Sequence, residues 1–449
     1  MTYDVIHVAE QRPVGQGGFH FGWVSSAQGH MGWDDPHWPV PSDGISYVYD
    51  CGAMPRYKDA RAREIQAVCQ RFPNGRLDFL FLSHFHADHV NGLPALLSKK
   101  GGLSVDTIIM PWVDHLERMV VYGRALAIGA ARQSDAFYRS LVVDPVSALG
   151  RFGPRQIVQL REAGPDDEPP AGEEPGRPDG EIQPGGEREA DRERRSAWGL
   201  IGRGSVRHRQ AQVGRGAPAA VFDVDGAVAV QATPGALDWL LAPYVQGGRL
   251  RKVAFLRALA KELGLSIRRT REEIDDPECR LHLVTDNATA VRNAYRAVER
   301  DLNLTSMSLF SGPRRGANLL EHRWRGSSLF FSSIDWFHWH GEDCAWIATG
   351  DADLTNRGRR SSFVRYFKKL RPNIGTLVLP HHGSEHNFHK DLLAELKPGL
   401  CLVNADSYSN WRHPATSVVQ AVASSGAACH VVTSDERSGL RQISRIWFR

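Results

Sequence analysis

The sequence has no long apolar run, no paired-cysteine motif and little lysine. No run of apolar residues reaches the roughly 18 needed to cross a bilayer. The first residues, MTYDVIHVAEQRPVG, contain Asp4, His7 and Glu10 where a secretory signal would need an apolar stretch. The six cysteines are scattered with no C-x-x-C pair, which is typical of reduced thiols. These absences predict a cytoplasmic protein with no membrane partner and exclude a small disulfide scaffold.

The sequence also has no strong excess of either charge. Its 55 lysines and arginines face 51 acidic residues, so the net charge of +4 does not by itself predict a nucleic-acid or acidic-lipid partner. Nine of the 55 cations are lysine, so most are guanidinium groups, which hold phosphate or carboxylate through paired hydrogen bonds. A GC-rich genome produces the same bias, and we favour that explanation.

Composition divides the 449 residues into four regions. Residues 1–160 alternate short apolar runs with polar turns, whereas residues 161–216 consist mostly of Pro, Gly, Glu and Arg. The second region cannot bury enough surface to offset its ordering entropy, so we predict a disordered insertion, either a spacer or a docking segment for a protein partner. Residues 217–280 are predicted to be a helical insertion or linker, because apolar residues recur at helical steps in ALDWLLAPYV and LRKVAFLRALAKEL. Residues 281–449 return to strand-like runs such as LHLVTD, which predicts one α/β domain with a large insert.

The strongest chemical signal is the segment LDFLFLSHFHADHVNGL. Leu77–Leu82 form a short apolar run typical of a buried strand, and the loop behind it carries His84, His86, Asp88 and His89. Histidine and carboxylate ligands suit Zn²⁺, Mn²⁺ or iron. Alternate side chains diverge on a tight loop, so His84 and His86 can hold one ion while Asp88 and His89 hold another. The segment therefore predicts half of a two-metal site.

Three later segments place polar groups at further strand ends. WIATGDADL contributes Asp351, TLVLPHHGS contributes His381 and His382, and CLVNADSYSNWRHP contributes Asn404, Asp406 and His413. Strand ends at one edge of a sheet are where open sites are built, and a carboxylate there can bridge two cations. We therefore expect these groups to lie near the first cluster.

Taken together, the motifs resemble those of the metallo-β-lactamase-fold hydrolases, whose H-x-H-x-D-H signature matches SHFHADH. More narrowly, the chain resembles the hydrolase domain of ComEC-type competence proteins and their stand-alone relatives. The shared motifs are PVGQGGFHFG, YVYDCG, TGD, PHHGS and RHP, in the family order. The resemblance implies a four-layer αββα sandwich, with 1–160 and 281–449 as its two halves and the insert leaving from one edge.

The resemblance also implies two divalent ions, zinc or manganese. His84 and His86 would hold metal one, Asp88 and His89 would hold metal two, and Asp351 would bridge them. Asp88 and Asp351 are accordingly predicted to be catalytic, and Asp88 would also steer the attacking hydroxide.

The remaining motif residues take supporting roles in the same comparison. Either His381 or His382 would complete the set around metal two, the other contacting substrate, and His382 is the third predicted catalytic residue. Asp50 would orient a ligand histidine, and His413 would lie at the mouth of the site.

One ligand expected from the resemblance has no clear match, namely the third histidine of metal one. The candidates in the intervening sequence are His115, His282, His338 and His340. Each is better explained as a structural histidine. The sequence therefore leaves open a weakly held metal one, or an enzyme working with one tightly bound ion.

The chemistry predicted from this site is hydrolysis by a metal-activated hydroxide. The resemblance favours a nuclease or phosphodiesterase, with nucleic acid as the substrate. A basic helix and an aromatic run could support that reading, although a solvated face and core packing explain them at least as well. The basic residues are Arg357, Arg359, Arg360, Lys368, Lys369 and Arg371, and the aromatic ones are Trp336, Phe337 and Trp339. Ser384 is assigned to a turn.

Two other functions stay open at this point. One is a small-molecule hydrolase acting on an ester, thioester, lactam or lactone, which a deep pocket without basic groups would favour. The other is a partner-activated or catalytically silent subunit of a multiprotein system, for example in bacterial defence. The long insertion motivates the second alternative, while the intact histidine and aspartate set argues against a silent enzyme.

Overall fold

A computed structural model of the chain describes most of the residues of both predicted halves. The described ranges are 3–26, 38–42, 44–164, 167–169, 197–211, 219–233, 239–248, 252–298, 304–314, 318–325, 344–408 and 411–448. Within them, no helix is both long and apolar enough to span a membrane.

The described residues form strands and helices in alternation. The strands are β1 Tyr3–Gln11, β2 Phe19–Ser26, β3 Ile45–Cys51, β4 Arg76–Phe81, β5 Ser104–Pro111, β6 Gln156–Leu160, β7 Ala197–Ala211, β8 Ala219–Thr233, β9 Trp239–Gln246, β10 Ser306–Pro313, β11 Asn318–Arg325, β12 Ala345–Ala348, β13 Ile374–Val378, β14 Leu400–Asn404, β15 Ala428–Val432 and β16 Leu440–Phe448. The helices are α1 Lys58–Cys69, α2 Ala87–Val90, α3 Leu93–Leu96, α4 His115–Ala127, α5 Ala136–Val143, α6 Pro145–Gly150, α7 Lys252–Leu263, α8 Ile267–Asp275, α9 Pro277–Thr285, α10 Ala288–Arg296, α11 Arg357–Tyr366, α12 Asp391–Leu396 and α13 Thr416–Ser425. The prediction of a mixed α/β fold is confirmed.

The strands join into one hydrogen-bonded path. Its order is β11-β16-β1-β2-β3-β4-β5-β6-β8-β9-β10-β12-β13-β14-β15, with β7 paired to β8. Two runs in the path are parallel, β3-β4-β5-β6-β8 and β12-β13-β14-β15. Parallel neighbours need long crossovers, and helices α1 to α6 and α11 to α13 lie in these connections. Within each parallel run, the carboxyl ends of the strands lie at one edge.

Buried apolar side chains form three clusters along this path. The first contains Leu80 and Tyr122, the second Tyr47 and Trp346, and the third Leu240 and Phe363. The second cluster draws on strands from both parallel runs, whereas the first and third also contain helix residues. Neighbouring residues of β9 alternate, Leu240 in the third cluster and Leu241 in the second, so that strand has apolar contacts on both faces.

Two short apolar segments differ from their predicted structure. ALDWLLAPYV was expected to be helical, but its residues from Trp239 onward form β9, which pairs with β8 and β10 and is buried along its length. LHLVTD was expected to be a strand, but it lies in α9, where Asp276 caps the helix and Pro277 takes its first position. Short apolar runs do not distinguish the two structures, because pairing partners and caps decide between them.

The region predicted to be disordered contains a strand. Ala197–Ala211 form β7, which pairs antiparallel with β8 from Ala197 opposite Thr233 to Ala211 opposite Ala219. The prediction of disorder is therefore wrong for this strand, while 170–196 and 212–218 lie outside the described residues. Helices α7 and α10 contribute Phe255 and Val291 to the first cluster, which also contains Leu80 of β4. The helical region from α7 to α10 therefore packs onto the first half of the chain.

Candidate metal centre

The predicted ligand residues follow the carboxyl ends of the parallel strands. Asp50 lies in β3, the histidine-rich loop follows β4, and Asp351 follows β12. His381 and His382 follow β13 in a short 3₁₀ turn. The two parallel runs thus bring residues from distant parts of the sequence into contact, with His86 and Asp351 hydrogen-bonded across 265 positions.

Three of these side chains are on backbone that disfavours them. Asp50, His381 and His382 have φ values of 59°, 47° and 57°, in the left-handed region. Such a conformation costs on the order of 1–3 kcal/mol for a residue other than glycine. Three neighbouring instances indicate that the fold holds these side chains in set directions at an energetic cost, as functional sites do.

Asp50 organises the loop after β4. One of its carboxylate oxygens accepts from the Ser83 amide at 2.7 Å, and the other accepts from Ser83 Oγ at 2.6 Å. The second oxygen also lies 2.8 Å from His89 Nδ1. Because Ser83 Oγ donates to Asp50, it accepts from His84 Nδ1, 2.7 Å away. His84 and His89 therefore both keep an unprotonated Nε2 when their rings are neutral.

Three histidines converge on one oxygen of Asp351. Its Oδ2 lies 3.1 Å from His86 Nδ1, 3.3 Å from His84 Nε2 and 3.7 Å from His381 Nε2. His84 Nε2 and His86 Nδ1 are themselves 2.8 Å apart. Asn387 Oδ1 accepts from His381 Nδ1 at 2.9 Å, which leaves His381 Nε2 with its lone pair.

A second group forms around Asp88. Its Oδ2 lies 3.5 Å from His382 Nε2 and 3.9 Å from His89 Nε2. His382 Nδ1 donates to the Asn404 carbonyl at 2.8 Å, so its Nε2 also carries a lone pair. Ligand atoms of Asp88, His89 and His382 all lie within 4.8 Å of one another. The tandem histidines are thus divided, with His382 beside Asp88 and His381 beside Asp351.

Both carboxylates of the site are held ionised. Burial alone would raise the pKa of Asp88 and of Asp351. The neighbouring histidines together outweigh burial, chiefly His382 for Asp88 and His381 for Asp351, so both pKa values lie well below their usual range. Ionised carboxylates at neutral pH are the form that binds a cation.

The pKa values of the histidines differ because their charged neighbours differ. Burial alone would lower the pKa of His89, but the carboxylate of Asp50 raises it to about 9. Burial lowers the pKa of His381 to about 4, and Arg124 contributes to that decrease. Burial and Arg124 also hold the pKa of His86 well below its usual range. Arg124 therefore raises the local positive potential.

Two glycines allow the backbone to approach this loop. A Cβ added to Gly18 would lie 2.6 Å from His89 Nδ1, and one added to Gly52 would lie 2.6 Å from the Asp88 carbonyl oxygen. Both distances are too short for any side chain. The close packing accounts for glycine in the G-Q-G-G and D-C-G segments.

The loop that carries the first four predicted ligands lies in the part of the chain that has a family match. Residues 40–105 match the model of the metallo-beta-lactamase superfamily. The match supports a metallo-β-lactamase fold and suggests a metal-dependent hydrolase. It includes Asp50 and the H-x-H-x-D-H loop of the superfamily. No curated protein matches the chain significantly.

Other predicted residues lie beside this site or away from it. The His413 ring centroid is 6.1 Å from that of His381 and 6.3 Å from that of His382. Asp406 instead accepts hydrogen bonds from Ser434. His115 pairs with an aspartate on another helix and His282 with one on its own helix, both at solvent-exposed positions, and His338 and His340 lie outside the described residues.

The predicted basic face of α11 is partly structural. Arg359 is buried beside Asp353, and Arg360 is buried with hydrogen bonds to the Leu354 carbonyl and to Asp391. Both guanidinium groups hold loops in place, so they are not available for phosphate. Arg357 and Lys368 are exposed, while Arg371 and Lys369 form surface salt bridges. The aromatic residues Trp336, Phe337 and Trp339 lie outside the described part of the chain.

Several contributing residues carry no recognisable signal in the sequence. Ser83 and Asn387 orient ligand histidines, and Ser306 Oγ lies 2.9 Å from the Asp351 amide. Arg124 and Trp411 line the cleft beside the histidines. Ser83 could have been found as the neighbour of the histidine loop, but Arg124 comes from a helix whose sequence resembles any amphipathic helix.

Proposed function

We propose that the protein is a metal-dependent nuclease or phosphodiesterase that binds two divalent cations at this centre. The single observation that supports this most directly is the convergence of five histidine side chains on two buried carboxylates. Solvated or structural histidines do not assemble in this way, because buried imidazoles without partners cost free energy.

Metal one would be held by His84 Nε2, His86 Nδ1 and His381 Nε2, together with Asp351 Oδ2. These atoms surround that oxygen at 3.1–3.7 Å. His381 would therefore supply the third histidine that the intervening sequence lacks. The proposal differs from the expectation that one of the tandem histidines completes the set around metal two and the other contacts substrate.

Metal two would be held by Asp88, His89 and His382, together with Asp351. Asp351 Oδ1 and His89 Nε2 are buried and have no hydrogen-bond partner among the described residues. A bound cation would satisfy both atoms, so the donor set fits the ions that the superfamily match suggests. Zinc and manganese both suit this set.

Divalent cations at these positions would supply a water of lowered pKa and neutralise charge that develops on the attacked group. The protein's own residues fix the geometry. Asp50 holds His89 directly and His84 through Ser83, while Asn387 and the Asn404 carbonyl set the tautomers of His381 and His382. Such outer contacts typically change metal affinity or activity by about 10- to 100-fold when removed.

We also propose the four-layer αββα arrangement for this chain. The second cluster, which contains Tyr47 and Trp346, would lie between two layers of strands. The first and third clusters, which contain Tyr122 and Phe363, would lie under the outer helices. Three separate apolar clusters, with alternate strand residues divided among them, support this arrangement.

The test is cleavage of labelled single- and double-stranded DNA and RNA with added Mn²⁺ or Zn²⁺. The inactive variant combines Asp88→Ala with Asp351→Ala, and the matched control is Asp435→Ala, an exposed carboxylate paired with Arg437 at 2.6 Å. We expect metal-dependent cleavage by the wild type and the control, and none by the double variant. Protein that contains two bound ions per chain but cleaves no phosphodiester would overturn the nuclease assignment, and ester, thioester and lactam substrates would then be tested.

A further inference from the structure

A small cleft opens to solvent beside the candidate metal centre. Five of its lining residues, His86, Asp88, Asp351, His381 and His382, belong to that centre. The rest of the lining includes Arg124 of α4 and Trp411 of the loop after β14, both partly exposed. A substrate bound to the proposed metals would have to lie against these two side chains.

Arg124 places a positively charged guanidinium group beside the proposed metal ligands in the cleft. Among the described residues, its side chain has one hydrogen-bond partner, His381 Nε2 at 3.3 Å, and no carboxylate partner. A guanidinium without a carboxylate partner still offers its planar set of N–H donors to an anion from outside. If His381 Nε2 binds a metal as proposed, the guanidinium loses even this partner and faces the cleft.

Trp411 gives the cleft an aromatic surface, in contrast to the cationic group of Arg124. Its ring centroid lies 5.4 Å from that of Tyr408 and 6.1 Å from that of His413, so an aromatic group lines the cleft close to the histidines. Aromatic faces bind bases of any sequence by stacking, at about 1–3 kcal/mol per base. A cation and an aromatic face on one cleft match a phosphate and its attached base.

The geometry points to Arg124 and Trp411 as the residues that recognise a nucleotide unit of the substrate. Arg124 binds the phosphodiester through its guanidinium, and Trp411 stacks on the base. This inference rests on the proposed function, since it names contacts at that same centre. It predicts that affinity depends separately on backbone charge and on the presence of bases.

The experiment measures fluorescence anisotropy of labelled short oligonucleotides with the metal-loaded protein. Three probes share one length: a hydrolysis-resistant phosphorothioate, a neutral methylphosphonate and an abasic phosphorothioate. The variants are Arg124→Ala, Arg124→Lys and Trp411→Ala, with Arg132→Ala as the control, because Arg132 is exposed and does not line the cleft. Metal content is measured for each variant.

Arg124→Ala should weaken binding of the phosphorothioate by about 10- to 100-fold, the size of a charged hydrogen bond, and leave the methylphosphonate unchanged. Arg124→Lys should recover part of the loss, because it keeps the charge but not the planar fork. Trp411→Ala should weaken both base-bearing probes by about tenfold and leave the abasic probe unchanged. Metal content should match the wild type throughout.

Equal losses with charged and neutral backbones, or an equal loss in Arg132→Ala, would overturn the role of Arg124. A Trp411→Ala loss on the abasic probe as large as on the others would overturn the role of Trp411. Tight binding of these probes, with no cleavage of unmodified DNA or RNA in the assay above, would instead contradict the proposed hydrolysis and leave the roles of Arg124 and Trp411 in place. Cleavage of DNA or RNA, with no effect of the Arg124 or Trp411 variants on probe binding, would support the hydrolysis and overturn the two recognition roles.

Discussion

At the scale of single residues, Asp50 has the widest influence on the centre. It contacts His89 directly and His84 through Ser83, so it orients one histidine from each proposed metal set. Its own backbone is in the left-handed region, which shows that its direction is imposed by the fold. A residue that binds no metal is thus expected to control the affinity for both.

Asp50→Asn should lower metal affinity by about 10- to 100-fold, because an amide no longer holds both histidines in the binding tautomer. Isothermal titration with Zn²⁺ against a competing chelator would measure the loss. Asp78→Asn is the matched control, because Asp78 is also buried and accepts from a serine amide and hydroxyl, those of Ser46, at 2.9 and 2.7 Å. An equal loss of affinity in the control would show that Asp50 acts only through stability.

Glu10 is the second residue with an unusual charge state. It is buried beside Arg71, Arg12 and Arg441, with Arg12 at 2.6 Å and Arg441 at 3.4 Å. Burial alone would raise its pKa, but the three guanidinium groups lower it to about 2 from 4.5. Because the folded-state pKa is the lower one, the carboxylate stabilises the fold above about pH 4.5, and this contribution is lost as the pH falls towards 2.

Glu10→Gln should therefore reduce the free energy of unfolding by on the order of 3 kcal/mol near neutral pH and by much less near about pH 2. Urea unfolding of both proteins across this range would measure the difference. Glu436→Gln is the control, because Glu436 is exposed and pairs with Arg63 at the surface. A difference between Glu10→Gln and the wild type that does not shrink on acidification would contradict the buried ion-pair explanation.

Residue patterns allowed much of this centre to be predicted, because metal ligands have a restricted chemistry and a short spacing. The loop from His84 to His89, together with Asp351 and the tandem histidines, could be found from the sequence. The division of His381 from His382 could not, because it depends on two left-handed backbone positions and on contacts with Asn387 and the Asn404 carbonyl. Nothing in the sequence around Arg124 indicates that its helix borders the cleft.

At the scale of elements, strand pairing and packing determine the secondary structure where the local sequence pattern does not. The strand β9 and the helix α9 have similar short apolar runs, and both were predicted wrongly. β9 is buried on two faces between β8 and β10, whereas the run in α9 follows an aspartate cap and a proline. The short apolar run of β4, by contrast, was predicted correctly, because its apolar and aromatic composition agrees with the polar loop that follows it.

Helix α4 meets α10 at Gly123, whose added Cβ would lie 2.8 Å from the Val291 carbonyl oxygen and 2.9 Å from Tyr295 Cβ. Gly123→Ala should destabilise the fold by about 1–3 kcal/mol, although the same change in an open helix stabilises it. Thermal unfolding would measure the shift. Gly358→Ala in α11 is the control, since its Cβ would meet only Asn356 Oδ1 at 3.4 Å, and it should be neutral or stabilising. A stabilised Gly123→Ala protein would contradict close contact between these helices.

At the scale of the whole molecule, the two proposed metal sets join distant parts of the chain. Asp50 and the His84–His89 loop come from the first parallel run, while Asp351, His381 and His382 come from the second. Each set takes ligands from both runs, so an ion bound to either set favours the folded state over the unfolded one.

Metal loading should thus raise the free energy of unfolding by about 2.7 kcal/mol per site at a free metal concentration 100 times Kd. Thermal unfolding with EDTA or with Mn²⁺ or Zn²⁺ would measure it. The Asp88→Ala and Asp351→Ala double variant should show no such increase. A metal-dependent increase of the same size in that variant would place the stabilising ion elsewhere.

The 265 positions between His86 and Asp351 also set an order of events during protein synthesis. The ribosome produces the histidine loop long before the second parallel run, so the nascent chain first exposes an incomplete ligand set. Two or three side chains on a flexible segment hold a divalent ion weakly compared with a closed set. If the centre binds ions as proposed, uptake is expected to follow synthesis of the second parallel run, so that the metals available around the completed chain determine which ion it acquires.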